Sequence, residues 1–116
     1  MLFVLCAGFG LAAIVCAVQY VLIRRGRFPR NRFLGIATSV TRESNEIWAR
    51  AHEAAAPWIG RAGVLAALAS AIAGAGFLVD GGTANAFIVV SGVVGAGAVL
   101  AFKVGAEGAA HRAVGG

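Results

Sequence analysis

Three long apolar runs decide what this chain can fold into. Residues 1–23, about 59–79 and about 86–102 are almost free of charge. A helix needs about 20 apolar residues to cross the hydrocarbon core of a bilayer. The first two runs reach that length, and the third is only just long enough. Hydrophobic residues make up 59% of the 116 positions. A soluble domain of this size needs more polar surface than that composition supplies. Nine of the 17 glycines lie within the apolar runs, and the glycines show no Gly-X-Y period, which excludes collagen and suits membrane helices. The expected fold is therefore an all-α integral membrane protein with three transmembrane helices.

Charge placement sets the expected orientation. Eight arginines and three glutamates fall within residues 24–61, and together they account for the whole net charge of +5. Elsewhere Asp80 and Glu107 offset Lys103 and Arg112. The positive-inside rule explains this clustering more economically than nucleic-acid binding does. The first run has no basic residue before it and a basic tract directly after it, the reverse of a cleavable signal peptide. It reads as a retained helix with its N-terminus outside. Residues 24–58 and the tail 103–116 then lie in the cytoplasm, with the 80–85 turn outside. The tail reads as small and flexible.

The polar segment opens with the tract RRGRFPRNR, in which Phe28 and Phe33 flank arginines at the expected headgroup level. From Thr41 to Ala56 the composition predicts a short cytoplasmic amphipathic helix, with Thr41 as N-cap and Glu43 in its first turn. Ile47, Trp48, Ala51 and Ala55 share one face, and Glu46 precedes Arg50 by four, the favourable ion-pair order. Pro57 is expected to end or redirect this helix. Gln19 and Tyr20 stand where they can reach the interface, and Arg61 where it can snorkel.

Membrane helices associate by close packing of small residues. Such residues recur every four positions as Gly63, Ala67, Ala71 and Ala75 in the second run. Ser91 with Gly95, and Gly92 with Ala96, repeat the spacing in the third, and Gly8 with Ala12 in the first. They could serve contacts within the chain, a homo-oligomer or a larger membrane complex. Cys6 and Cys16 are about 15 Å apart along one helix, too far to bridge each other, and match no metal or redox spacing.

No enzyme motif is visible, and no cofactor or metal site is expected. The spans hold no interior Asp, Glu, Lys or His, which argues against a proton pump or active transporter. His52 with nearby glutamates is a poor metal set, and a packing histidine is the simpler reading.

One pattern remains. Asn31, Gly35, Ile36, Thr38, Thr41, Ser44, Trp48 and His52 follow one another over residues 31–52 and lead directly into the second run. Order and spacing resemble the SdpI family of bacterial membrane immunity proteins, whose loop reads N-x-x-x-G-I-R-T, then threonine, serine and W-x-x-x-H or N. The chain departs from that pattern at Ala37, where the family has arginine, and at Glu53, where many members have arginine. It is also short, with one motif and three spans. The resemblance implies a non-catalytic protein of the bacterial cytoplasmic membrane. Its expected partners are a membrane-active peptide toxin, against which it protects the cell, and a cytoplasmic repressor that it holds at the membrane. An accessory subunit of a larger membrane complex is the alternative. Physically, Asn31, Thr38, Thr41 and Ser44 can hydrogen-bond a tight turn, Gly35 admits a backbone conformation closed to other residues, and Trp48 can anchor the helix with His52 beside it.

Overall fold

A computed structural model describes residues 1–31, 35–36, 41–79 and 81–115. Four helices make up the fold: α1 (Leu2–Arg24), α2 (Asn45–Ala75), α3 (Gly82–Leu100) and α4 (Glu107–Ala113). A 3-10 turn, Gly76–Leu78, ends α2, and a π-helical stretch, Ala101–Ala106, joins α3 to α4 without a break. The described residues contain no strand. Three helical stretches are long and apolar enough to cross a membrane: Leu2–Arg24, Asn45–Leu78 and Gly82–Ala113. The bundle measures 52 × 22 × 20 Å, so it exceeds the roughly 30 Å hydrocarbon core along its length.

Helix α2 is the centre of the bundle, contacting α1, α3 and α4, while α1 and α3 barely touch. Its buried face runs through Trp48, Ala51, Ala55, Ile59, Ala62, Ala66, Ala69 and Ala73. Those steps of three and four residues hold one stripe on one side of a single helix. The stripe is mostly alanine, and that smallness lets the neighbouring helices approach closely. The remaining faces expose Phe3, Leu11, Ile14, Val64, Leu68, Val89 and Val93, which is the pattern of a surface solvated by acyl chains rather than water.

Two expectations about α2 are corrected here. A separate amphipathic helix ending at Pro57 does not form, because residues 45–56 are the first turns of the 31-residue helix α2, which carries Pro57 inside it. Proline there removes one bond to the Glu53 carbonyl. Glu53 and Pro57 both lie on the exposed side, where that carbonyl can be solvated, and the buried stripe passes uninterrupted on the other. Packing outweighs the local penalty of about 3 kcal/mol. The N-cap is Ser44, not Thr41: the Ser44 hydroxyl accepts from the Ile47 amide at 3.1 Å. Glu43 therefore precedes the helix, and Glu46 occupies its first turn. Glu46 and Arg50 do pair, at 2.9 Å on the exposed side.

The C-terminal segment also differs from expectation. Residues 103–113 continue as helix, and Ala106 and Ala110 are fully buried against Ile36, Ala51, Ala55 and Ile59. Gly105 makes this possible, since the Trp58 ring occupies the space where a Cβ would stand. The π-helical stretch widens the backbone at that contact.

The small-residue stripes are only partly used inside the bundle. Gly63 packs on Cys16, but Ala67 and Ala71 face outward, beside the stripe of buried Ala66, Ala69 and Ala73. Ser91 and Gly95 are buried, with the Phe9 ring lying on Gly95. Gly8, Ala12 and Ala96 are exposed, and an added Cβ would meet nothing at Gly8 or Gly92. Short polar side chains tie the helices at depth: Ser70 Oγ donates to the Cys6 carbonyl at 2.8 Å, and Ser91 Oγ to the Ala69 carbonyl at 2.7 Å. Gln19 turns into the bundle instead of reaching the interface. It is buried, and its Oε1 finds no hydrogen-bond partner among the described residues.

Candidate functional site

The segment between α1 and α2 folds back over the first turns of α2. The chain leaves α1 through Gly26, whose φ of +67° suits glycine. It brings the Phe28 ring onto the side of α2. There Phe28 meets Trp48 with ring centroids 5.6 Å apart, and meets His52 edge-on at 5.1 Å. Trp48 and His52, four residues apart on one helix face, lie 4.1 Å apart. The Trp48 indole Nε1–H donates to the Phe28 carbonyl at 3.0 Å. That bond satisfies the one polar atom of a side chain only 2% exposed.

His52 is the hinge pin of this arrangement. It is 1% exposed, and its Nε2 accepts the backbone N–H of Ile36 at 2.9 Å. With Nε2 an acceptor, the ring proton stands on Nδ1, which faces the Trp48 carbonyl at 2.9 Å. Both nitrogens are engaged and the ring is neutral. Burial pushes the His52 pKa below its ordinary value, and the bond to the Trp48 carbonyl partly opposes that shift. His52 lies seven residues before the apolar run of α2 that begins near Ile59, among the polar residues Glu46, Arg50 and Glu53.

Gly35 sits directly beneath this ring. Its φ is +78°, and a Cβ there would lie 2.6 Å from His52 Nε2 and 2.7 Å from the Phe28 ring. Only glycine satisfies both the backbone angle and the space. Ile36 then turns its side chain into the bundle, where it is fully buried among Ala51, Ala55, Ile59, Ala106 and Ala110. The buried Thr41 hydroxyl donates to the Ile36 carbonyl. Ile36 is therefore held at its N–H by His52, at its carbonyl by Thr41 and at its side chain by α2, α4 and the π-helical stretch between α3 and α4. Asn31 Nδ2 donates to the Pro29 carbonyl at 2.9 Å on the exposed side.

Of the eight motif positions, Gly35, Ile36, Thr41, Trp48 and His52 thus meet in one buried cap, with Ser44 starting the helix that carries it. Asn31 lies at its edge. Thr38 and Ala37 fall outside the described residues. Phe28, expected at headgroup level, instead packs on Trp48 and His52 as part of the cap. The signal was one of distance only, since nothing local links Phe28 to a helix face 20 residues on.

Positive charge surrounds the cap. Arg24, Arg25, Arg27, Arg30 and Arg50 are exposed. A polar depression of about 520 Å³ lies beside it, lined by Arg27, Phe28, Arg30, Asn45 and Trp48. The described residues offer no group of three His, Cys, Asp or Glu side chains able to hold a metal. The rim of the cap thus presents cations beside the half-buried Phe28 ring, and the cap's imidazole is fully committed to structure.

Comparison with known proteins gives one family. The model of the SdpI/YfhL protein family matches residues 27–102, from the arginine-rich segment to the π-helical stretch. No curated protein and no solved structure matches the chain.

Proposed function

Since the chain belongs to the SdpI/YfhL protein family, we propose that it is a membrane immunity-type protein, protecting its cell from a membrane-active peptide, signalling to a cytoplasmic regulator, or both. The observation that carries this reading is the family match across both the motif and two of the three apolar helices. The family is generally not enzymatic, and a non-catalytic role agrees with a motif whose imidazole is buried and hydrogen-bonded on both sides. The positive-inside rule puts residues 24–58 in the cytoplasm, with the N-terminus outside and the C-terminus inside. In that orientation the depression beside Arg27 and Arg30 faces a cytoplasmic regulator, and the outward helix faces meet a peptide within the bilayer.

The test uses the native host. A strain lacking the gene and its complemented counterpart are exposed to cell-free supernatant from the parent culture, and membrane potential is followed with a voltage-sensitive dye. The immunity reading predicts depolarisation of the deletion strain alone. Equal responses in the two strains would remove it.

A second reading, an accessory subunit of a larger membrane complex, is favoured by one observation. Gly8, Ala12, Gly92 and Ala96 present small-residue surfaces outward that none of the described residues covers, and such surfaces suit helix association.

A further inference from the structure

A groove of about 1030 Å³ runs along the outer side of the α1–α2 pair. It is at the upper end of the roughly 300–1,000 Å³ typical of ligand pockets. Its walls are apolar over most of their length, formed by residues such as Ile14, Ala17, Val64 and Leu65. The charge is concentrated at one end. Arg24 and Arg61 both line it there, from helices that run in opposite directions. Each guanidinium is laid over a ring, Arg24 over Tyr20 at 5.3 Å and Arg61 over Trp58 at 4.5 Å. Neither has a carboxylate partner among the described residues, whose ion pairs are Arg50–Glu46 and Lys103–Glu107.

From this we infer that the groove is a binding site for one anionic phospholipid of the leaflet bordering the arginine-rich segment. The acyl chains lie between α1 and α2, and the phosphate sits between Arg24 and Arg61. The match is one of amphiphile to amphiphile: an apolar channel within the span, closed at headgroup depth by two cations. Basic pockets between membrane helices bind acidic headgroups for this reason. A guanidinium also suits phosphate better than a simple point charge does. A second copy of the chain is a poorer occupant, because a two-fold contact through this groove would bring the arginines of both copies together. The inference holds whichever function the protein serves.

The probe is an equimolar mixture of phosphatidylglycerol and phosphatidylcholine added to the full chain in mild detergent, with retained lipid read by native mass spectrometry. The expected result is one phosphatidylglycerol retained in preference by about thirty-fold, roughly five-fold for each arginine. Replacing both arginines (Arg24→Gln with Arg61→Gln) should abolish the preference. Both side chains are on the surface, so the fold is left intact. Ala17→Phe fills the groove without changing charge and should lower retention of both lipids. The control pair Arg27→Gln with Arg30→Gln lies outside the groove and should leave the preference in place. Excess glycerol 3-phosphate should displace nothing, since it lacks the tails. The inference is overturned by an absence of preference in the unaltered chain, by equal loss in the control pair, by displacement with glycerol 3-phosphate, or by a peptide found in the groove in place of lipid.

Discussion

Replacing His52 tests the cap at its most committed atom. His52→Phe keeps a ring between Trp48 and Phe28 but removes the acceptor that meets the Ile36 N–H at 2.9 Å. Ile36 is 1% exposed, so its amide has no water to turn to. A buried donor left without a partner costs about 1–3 kcal/mol. His52→Ala also forfeits two ring contacts worth about 0.5–1.5 kcal/mol each, for a total of about 2–6 kcal/mol. Both changes fall in the first turns of α2, ahead of its long apolar run, so the loss should appear as local opening rather than global unfolding. Amide hydrogen exchange in detergent micelles reads it directly. His52→Phe should speed exchange at Ile36 by about five- to 150-fold, while Ala55 and Ala66, deeper on α2, keep their rates. His52→Gln should recover most of the protection, because a glutamine carbonyl can reach the place of Nε2. Unchanged exchange at Ile36 in His52→Phe, or a glutamine variant that opens as readily, would refute the reasoning.

Three further outcomes follow from the same geometry. Because burial lowers the His52 pKa, the folded cap binds its proton more weakly than the open chain does; cap stability is complete above the ordinary histidine value near 6.5 and is lost as pH falls below it. Exchange at Ile36, corrected for its intrinsic pH dependence, should therefore rise from pH 7.5 to 5, and the rise should vanish in His52→Gln. Gly35→Ala forces a side chain into a left-handed position 2.6 Å from His52 Nε2; a conformational cost of about 1–2 kcal/mol should show as faster tryptic cleavage at Arg27 and Arg30. Gly95→Leu drives α3 off the Phe9 ring, and an overpacking cost of about 1–3 kcal/mol should lower the Tm in detergent without changing cleavage at the cap.

The three apolar helices were legible because a membrane span is a long, local signal of composition. The motif was legible as spacing, and Ser44, Trp48 and His52 fall on or at the start of the helix that carries them. What escaped was long-range. Pro57 is a strong local breaker, yet the alanine stripe from Ala51 to Ala73 crosses it, and tertiary packing decides the outcome. The tail looked flexible because Gly105, Ala106 and Ala110 are small. In the bundle that smallness lets Trp58 and Ile36 seat against them. Small residues at four-residue spacing mark closeness without saying to what. Gly95 serves Phe9 within the chain, whereas Gly8, with the same pattern, faces outward. Phe28 could not be assigned to the cap, because its partners are 20 and 24 residues away on a helix whose rotation the sequence does not fix.

Purification from the native host in mild detergent, with identification of whatever accompanies the chain, bears most directly on the immunity-type reading. That reading predicts recovery of the chain alone, or with a secreted peptide or a small soluble regulator. A stoichiometric set of large membrane subunits would contradict it and make the chain a structural accessory.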